Sequence, residues 1–209
     1  MGAYADKHRF DRVGGRLSLD FLNTMSGLRG ENPNERIAGV EDLASWGHQA
    51  GLIERRRMQE LIAEAGQHPR RSAQALADAL AAREALHDVV MAAIDRTTPP
   101  AAALETVNRW IAAAMQHRRL RPRAGGGFEA AFDDDGDLAG FLRPVAVDAA
   151  RLLEEQLQAG LVRRCEESRS GRCGWIFVDE TRNHSRRYCS MSDCGNRAKQ
   201  RRYWQRQKE

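Results

Sequence analysis

All four cysteines of this 209-residue chain lie in its last 45 residues, as Cys165, Cys173, Cys189 and Cys194. They form two pairs, C-x7-C and C-x4-C, with 15 residues between the pairs. Two cysteine pairs at about this separation are typical of tetrahedral zinc sites, because each pair holds one side of the ion. A segment of about 45 residues rarely buries enough apolar surface to fold alone, and a metal ion supplies the missing stabilisation. We therefore expect one structural zinc ion bound by four thiolates.

Other interpretations of the cysteine cluster stay open at this point. His184 is a fifth potential ligand, although four thiolates already complete a structural site. A catalytic zinc would keep an open coordination position beside a carboxylate base, for which Asp179 and Glu180 are the nearest candidates. The cysteines could also be free or buried thiols that bind no metal.

The amino-terminal residues, MGAYADKHRFDR, are polar and lack the apolar core of a signal peptide. No stretch approaches the ~18 consecutive apolar residues that cross a bilayer, so we expect no membrane partner. The expected location is the cytoplasm, where disulfides are rare and clustered cysteines favour a metal site.

Charge divides the chain into two parts. Residues 161–209 hold 13 Arg and Lys against 6 Asp and Glu, whereas residues 1–160 hold 20 basic and 23 acidic residues. We call residues 1–160 the body and residues 161–209 the cysteine module, and we expect each to be a domain. The positive module would attract polyanions.

The body is predicted to be mainly α-helical with one small β-hairpin. Apolar residues at helical spacing predict helices over residues 40–51, 54–65, 72–94, 100–117 and 144–160. Ser72 is the expected N-cap of the third, and Arg118 to Arg123 would be a solvated end of the fourth. The hairpin is expected over residues 127–142, with Asp135-Gly136 in its turn. Residues 13–24, VGGRLSLDFLNT, could open with a strand or with a buried helix.

The segment from Cys173 to Trp204 resembles the CGNR zinc finger. The resemblance rests on CGW at 173–175, FVD at 177–179, RRYC at 186–189, and CGNR at 194–197 followed by Lys199. Two departures are Tyr188, where tryptophan is commoner in the family, and the long insert between Cys165 and Cys173. The insert leaves open whether Cys165 or His184 is the fourth zinc ligand.

The body resembles the ABATE domain, which usually precedes this finger. The resemblance lies in GGRLSLDFLNT at 14–24 and in DLASW at 42–46. Together the two resemblances cover nearly the whole chain. They imply a bacterial, stress-linked transcription regulator.

The C-terminal tail can form a basic helix. On a helix, Arg197, Arg201 and Trp204 share one stripe, and Lys199, Arg202 and Arg206 share the next. A helix with so many like charges is stabilised by a polyanion, and a helix fits the DNA major groove. The expected nucleic-acid contacts are Arg186, Arg187, Asn196, Arg197, Lys199, Arg201, Arg202 and Arg206.

Several of these tail residues also have structural interpretations. Asn196 can cap the start of the helix, and Arg187 can pair with Asp179. Tyr203 and Trp204 are expected to pack on the cysteine module; stacking on unpaired bases is the alternative.

The favoured hypothesis is a DNA-binding regulator whose body senses a small ligand or dimerises. Asp20, Asn23 and Thr24 could line a ligand pocket, or they could hold the backbone of the body in place. One alternative hypothesis is a binder of RNA or single-stranded nucleic acid. Another is a protein-interaction module in which zinc is only a structural staple.

No catalytic motif is evident in the sequence. G-x-S-x-G, H-E-x-x-H and the Walker-type G-x-x-x-x-G-K are all absent, and the six histidines are scattered along the chain. We therefore expect a binding protein and not an enzyme.

Overall fold

The structure is a computed structural model that describes residues 9–207. It confirms a mainly α-helical body followed by a small module that ends in a basic helix. The helices are α1 (Leu17–Leu22), α2 (Val40–Gln49), α3 (Arg55–Gln67), α4 (Pro69–Asp95), α5 (Ala101–Gln116), α6 (Arg143–Arg151) and α7 (Asn196–Arg206). Short 3-10 turns cover Gly140–Leu142 and Glu166–Ser170, and π-helical turns cover Leu152–Gln156 and Met191–Gly195. Across residues 9–207, no helix combines the length and the apolar composition needed to cross a membrane.

The strands form three separate antiparallel pairs. They are β1 (Met25–Ser26) with β2 (Asn34–Glu35), β3 (Arg118–Pro122) with β4 (Phe128–Phe132), and β5 (Val162–Arg164) with β6 (Ile176–Val178). The last pair belongs to the cysteine module and places Val162 opposite Val178.

The hairpin lies earlier in the chain than the sequence predicted. Its register runs from Arg118 opposite Phe132 to Pro122 opposite Phe128, so its turn contains Gly125, Gly126 and Gly127. All three glycines have φ between 82° and 102°, a region that glycine adopts without steric cost. The prediction of a hairpin over residues 127–142 was therefore wrong, and Arg118 to Arg123 belong mostly to a strand and not to a helix end.

The structure corrects the start of one predicted helix and shows that residues 17–22 also form a helix. The long helix begins at Pro69, whose fixed φ suits a first helical turn, so Ser72 lies inside the helix and is not its N-cap. The motif LSLDFL forms a helix, α1, and not a strand. Asp148 of α6 serves the start of α1, because its carboxylate accepts hydrogen bonds from the Ser18 amide at 2.8 Å and the Ser18 hydroxyl at 2.6 Å.

The core of the body continues into the cysteine module. Leu19 and Leu22 of α1 are fully buried against α4, α5 and α6, and the same apolar cluster contains Val162, Ile176 and Val178. The β5–β6 pair thus buries apolar side chains against the body, while the cysteines form a separate cluster. Docking on the body compensates for the small core that a module of this size can build.

Backbone contacts fix this docking. The side-chain amide of Asn23, at the end of α1, accepts a hydrogen bond from the Ile176 backbone N–H at 3.0 Å and donates one to the Ile176 carbonyl at 2.9 Å. The Val178 N–H donates to the Gly14 carbonyl at 2.8 Å. At Gly174 the two segments of the chain come so close that an added Cβ would lie 1.9 Å from the Gly27 carbonyl oxygen. Body and module are therefore joined by specific hydrogen bonds as well as by apolar contact.

Candidate metal centre and nucleic-acid interface

The four cysteines come together in the module, and all four are buried. Their sulfurs lie within 4.8 Å of one another; the Sγ of Cys189 is 3.7 Å from that of Cys173 and 3.6 Å from that of Cys194. A tetrahedral ion with Zn–S bonds of about 2.3 Å places its sulfurs about 3.8 Å apart. The donor set and its spacing therefore fit one structural Zn²⁺.

The four thiols strongly affect one another's ionisation. The pKa of Cys165 is lowered because the thiols of Cys173 and Cys189 donate hydrogen bonds to it, and the pKa of both donors is raised by that arrangement. Burial, followed by the charge of Cys165, raises the pKa of Cys194. Four thiolates this close repel one another unless a cation neutralises them, and a bound divalent metal deprotonates its thiol ligands.

The question of the fourth ligand is answered by the geometry. Cys165 directly follows β5, and its Sγ accepts a hydrogen bond from the Cys189 N–H at 3.5 Å. His184 is exposed, lies outside the group of four sulfurs, and shares a 3.0 Å hydrogen bond between its Nδ1 and the Asp179 carbonyl oxygen. Four thiolates fill a tetrahedron, so this donor set provides no open position for a reacting water.

Asp179 organises the loop between β6 and Cys189. Burial opposes ionisation of its carboxyl, but hydrogen bonds from Thr181 and from the Arg186 amide outweigh burial and lower its pKa. Its ionic partner is Arg163, at 3.4 Å. The expected pair of Arg187 with Asp179 was therefore wrong; Arg187 instead pairs with Glu166 at 2.5 Å.

Arg186 holds the same loop in place. Its guanidinium lies 4.1 Å from the centre of the Phe177 ring. It donates hydrogen bonds to four backbone carbonyls, those of Val13, Val178, Tyr188 and Cys189. With its donors engaged by the backbone, Arg186 has a structural role here, and its contact with nucleic acid stays a prediction.

The inner side of α7 is bound to the module. Ala198 is buried, Arg201 forms an ion pair with the buried carboxylate of Glu167, and Arg197 pairs with Asp193 at 2.7 Å. Arg197 also donates to the Cys194 Sγ at 3.5 Å. Since Cys194 lies in the π-helical turn that leads into α7, the metal site fixes where this helix begins.

Asn196 does not cap α7. It is exposed, it has helical backbone angles, and its side-chain amide donates to the Ser192 carbonyl one turn earlier at 3.0 Å. Helix α7 continues directly from the π-helical turn Met191–Gly195, whose carbonyls can accept from the first N–H groups of α7, so no side-chain cap is needed.

Three cations remain on the other side of α7, and we call Lys199, Arg202 and Arg206 the outer basic face. They lie at i, i+3 and i+7, all three residues are exposed, and none makes an ion pair within residues 9–207. Tyr203 and Trp204 beside them are 58% and 61% exposed and contact each other edge to face. The expected packing of these two aromatics on the module was therefore wrong.

Asp20, Asn23 and Thr24 are engaged by the protein itself. Asp20 accepts a hydrogen bond from the Gly14 amide at 2.8 Å, and Asn23 binds the backbone of Ile176. The Thr24 hydroxyl donates to the Phe21 carbonyl and accepts from Arg83, which is itself buried. The hydrogen bonds of all three residues therefore match the structural interpretation, and we do not place a ligand site on them.

Buried arginine contacts that the sequence does not reveal connect these polar groups. Arg83 is 1% exposed and forms ion pairs with Glu35 and Glu84, which fixes the β1–β2 loop against α4. Nothing distinguishes Arg83 from other helix arginines in the sequence, because its partners Glu35 and Thr24 are distant in the chain. Arg163 and Arg164, by contrast, directly precede Cys165, and two basic residues beside a candidate zinc ligand are a signal that the sequence does contain.

Comparison with protein families agrees with this architecture. The family described as "Putative stress-induced transcription regulator", ABATE, matches residues 15–156, which is more than half of the chain. The CGNR zinc finger matches residues 162–207, the segment that contains all four cysteines. No curated protein matches the chain. The chain therefore belongs to the ABATE family and carries a CGNR zinc finger after its ABATE region.

Proposed function

We propose that this protein is a DNA-binding transcription regulator in which a structural zinc ion positions α7 for contact with duplex DNA. The observation that carries the proposal is the outer basic face, three exposed cations without internal ion pairs on a helix that begins beside a zinc ligand. Such a face suits phosphate contact, and an α-helix fits the major groove.

The distribution of charge supports the same proposal. The module carries an excess of basic residues and the body a small excess of acidic ones, so a polyanion is steered toward the module. Within the cysteine module, Arg169 and Arg187 line a shallow groove beside α7 together with Arg202. Arg187 remains 57% exposed despite its ion pair with Glu166 and can add a phosphate contact beside the helix. The proposal places the protein in the cytoplasm, where its thiols stay reduced.

The structure decides which variant tests this proposal. Arg201 ties α7 to the buried carboxylate of Glu167, and Arg197 contacts the sulfur of Cys194, so replacing them would disturb the helix as well as its charge. We propose Lys199→Gln, Arg202→Gln and Arg206→Gln, which keep good helix formers at exposed positions. Selection from a genomic fragment library should enrich specific duplexes with the wild-type protein and lose that enrichment with the triple variant.

A second candidate function is recognition of single-stranded nucleic acid. The observation that favours it is the exposure of Tyr203 and Trp204, since aromatic side chains bind unpaired bases by stacking. It predicts tighter binding to an unpaired oligonucleotide than to the matching duplex, with about a tenfold loss in Trp204→Ala. If neither nucleic acid binds at low salt, zinc serves only to fold a protein-interaction module.

Dimer formation stays a prediction. The surface that could support it is the β3–β4 hairpin, where Leu120 and Phe128 are 66% and 70% exposed on one face. If the protein is a dimer through this face, Phe128→Ser should shift its sedimentation coefficient to that of a monomer. An unchanged sedimentation coefficient would exclude this face as the interface.

A further inference from the structure

A cleft of about 650 Å³ lies between the body and the cysteine module. One wall is formed by α4 and by the loop after β1, and the other by the segment that runs from β5 through Cys165 to the following 3-10 turn. A cleft of this volume is of the size that holds small organic ligands.

The cleft is lined mostly by cationic polar groups. Six guanidinium groups and one carboxylate, that of Glu166, are among its lining residues; the arginines are Arg29, Arg163, Arg164, Arg169, Arg186 and Arg187. Arg169 makes no ion pair within residues 9–207, and Arg164 pairs with Asp95 at a site where both side chains are about 40% exposed. These two arginines retain free N–H donors that can bind an anion in two-point geometry.

An apolar strip runs along the same cleft. Leu28 from the loop, Met91 and Ile94 from α4, and Val162 from β5 line it side by side with the arginines. Burial, and after it the charge of Arg29, lowers the pKa of His87, one turn before Met91, which favours its neutral ring. An extended phosphate backbone gains nothing from an apolar wall, whereas a ligand with an anionic group and an apolar part satisfies both surfaces.

We propose that this cleft binds a small organic anion, an aromatic or branched aliphatic carboxylate or phosphate ester, with its acidic group on Arg164 and Arg169 and its apolar part on Met91 and Ile94. The site lies where the body contacts the cysteine module. A ligand there would bridge α4 to the segment that carries Cys165, and so would restrict how the module sits on the body. What the ligand controls rests on the proposed function, but the binding itself does not.

The test is calorimetric titration of the zinc-loaded full chain with 2-naphthoate, with its neutral amide 2-naphthamide and with inorganic phosphate as comparators. We expect one 2-naphthoate per chain, with an affinity about tenfold or more above either comparator, because only this probe presents both charge and apolar surface. Equal affinity for the neutral amide, or no binding of 2-naphthoate at millimolar concentration, would overturn the proposal.

Variants locate the binding site. Arg164→Gln and Met91→Gln should each weaken 2-naphthoate binding by about fivefold to tenfold, since one removes an anion contact and the other makes the apolar wall polar. Arg55→Gln on α3 removes an exposed arginine outside the cleft and should leave the affinity unchanged. Wild-type affinity in both cleft variants would refute the site even if the probe binds elsewhere on the protein.

A competition experiment with a DNA duplex distinguishes this proposal from the DNA-binding proposal. If a short DNA duplex displaces 2-naphthoate from the Lys199→Gln, Arg202→Gln, Arg206→Gln variant as well as from wild type, the cleft binds DNA phosphate and the small-ligand proposal fails. If the duplex binds nowhere but 2-naphthoate binding still responds to the cleft variants, the ligand site stands while the DNA-binding proposal fails.

Discussion

Replacing Asn23 tests how the body holds the cysteine module. Asn23→Ala removes two hydrogen bonds to the backbone of Ile176, at 3.0 Å and 2.9 Å, and leaves a buried N–H and a buried carbonyl without partners. Asn23 is 3% exposed and Ile176 is 1% exposed, so water cannot replace the lost groups without structural change. Each unpaired buried group costs roughly 1–3 kcal/mol, which predicts a loss of about 2–6 kcal/mol in the free energy of unfolding.

The assay is urea denaturation of the zinc-loaded protein, followed by far-ultraviolet circular dichroism and by tryptophan fluorescence. Asn108→Ala is the matched control, because Asn108 is exposed on α5 and the same change there should alter the free energy of unfolding by at most about 0.5 kcal/mol. A free energy of unfolding for Asn23→Ala within 1 kcal/mol of wild type would show that the contact between the body and the cysteine module does not depend on this side chain.

Two further predictions concern the metal and the body. Metal analysis should give about one zinc per chain, and chelation should remove hydrogen-exchange protection from α7 while the Val178 amide, bonded to the Gly14 carbonyl, stays protected; loss of both together, or of neither, would contradict the account. Burial raises the pKa of Asp20 from 3.8 to about 6, so its contribution to stability is fully present below pH 3.8 and is lost as the pH rises through 6. The difference of about two pKa units corresponds to about 3 kcal/mol. Asp20→Asn keeps an acceptor for the Gly14 amide but cannot ionise. Between pH 4 and pH 7 the free energy of unfolding of the wild type should therefore fall, relative to that of the variant, by about this amount. The same pH dependence in both proteins would refute the raised pKa.

The metal site could be predicted from the sequence because its information is local and chemical. Four cysteines at suitable spacing, in a segment with little apolar surface, leave few alternatives to a tetrahedral metal site. The helices of the body were predictable for a similar reason, since their apolar residues repeat at helical spacing over 10 or more residues.

The hairpin was misplaced because turn signals compete. Asp135-Gly136 is a common hairpin turn, but here the Asp134 and Asp135 side chains accept hydrogen bonds from the Gly136 and Asp137 amides and start an irregular loop. The glycines at 125–127 form the turn instead, and the strand before them contains arginines, which carry no strand pattern.

The roles of individual arginines could not be predicted, because they depend on partners far away in the chain. Arg186 and Arg187 are neighbours, yet one binds four backbone carbonyls and the other is exposed beside Glu166. Helical geometry did separate Arg197 and Arg201 from the outer basic face, but only the folded module shows which stripe faces inward. The sequence identified a basic helix, and the fold identifies which of its cations are free.

The measurement that tests the central proposal most directly is the salt dependence of DNA binding, measured by fluorescence anisotropy with a selected duplex. Each lost phosphate contact should reduce the slope of log K against log salt by about 0.9, so the Lys199→Gln, Arg202→Gln, Arg206→Gln variant should lose up to about 3 units of slope. The control is Arg55→Gln, Arg70→Gln, Arg151→Gln, which removes the same net charge from exposed positions of the body. The account predicts a wild-type slope for this control. Equal slopes for wild type and both variants would contradict the assignment of α7 as the DNA-binding surface.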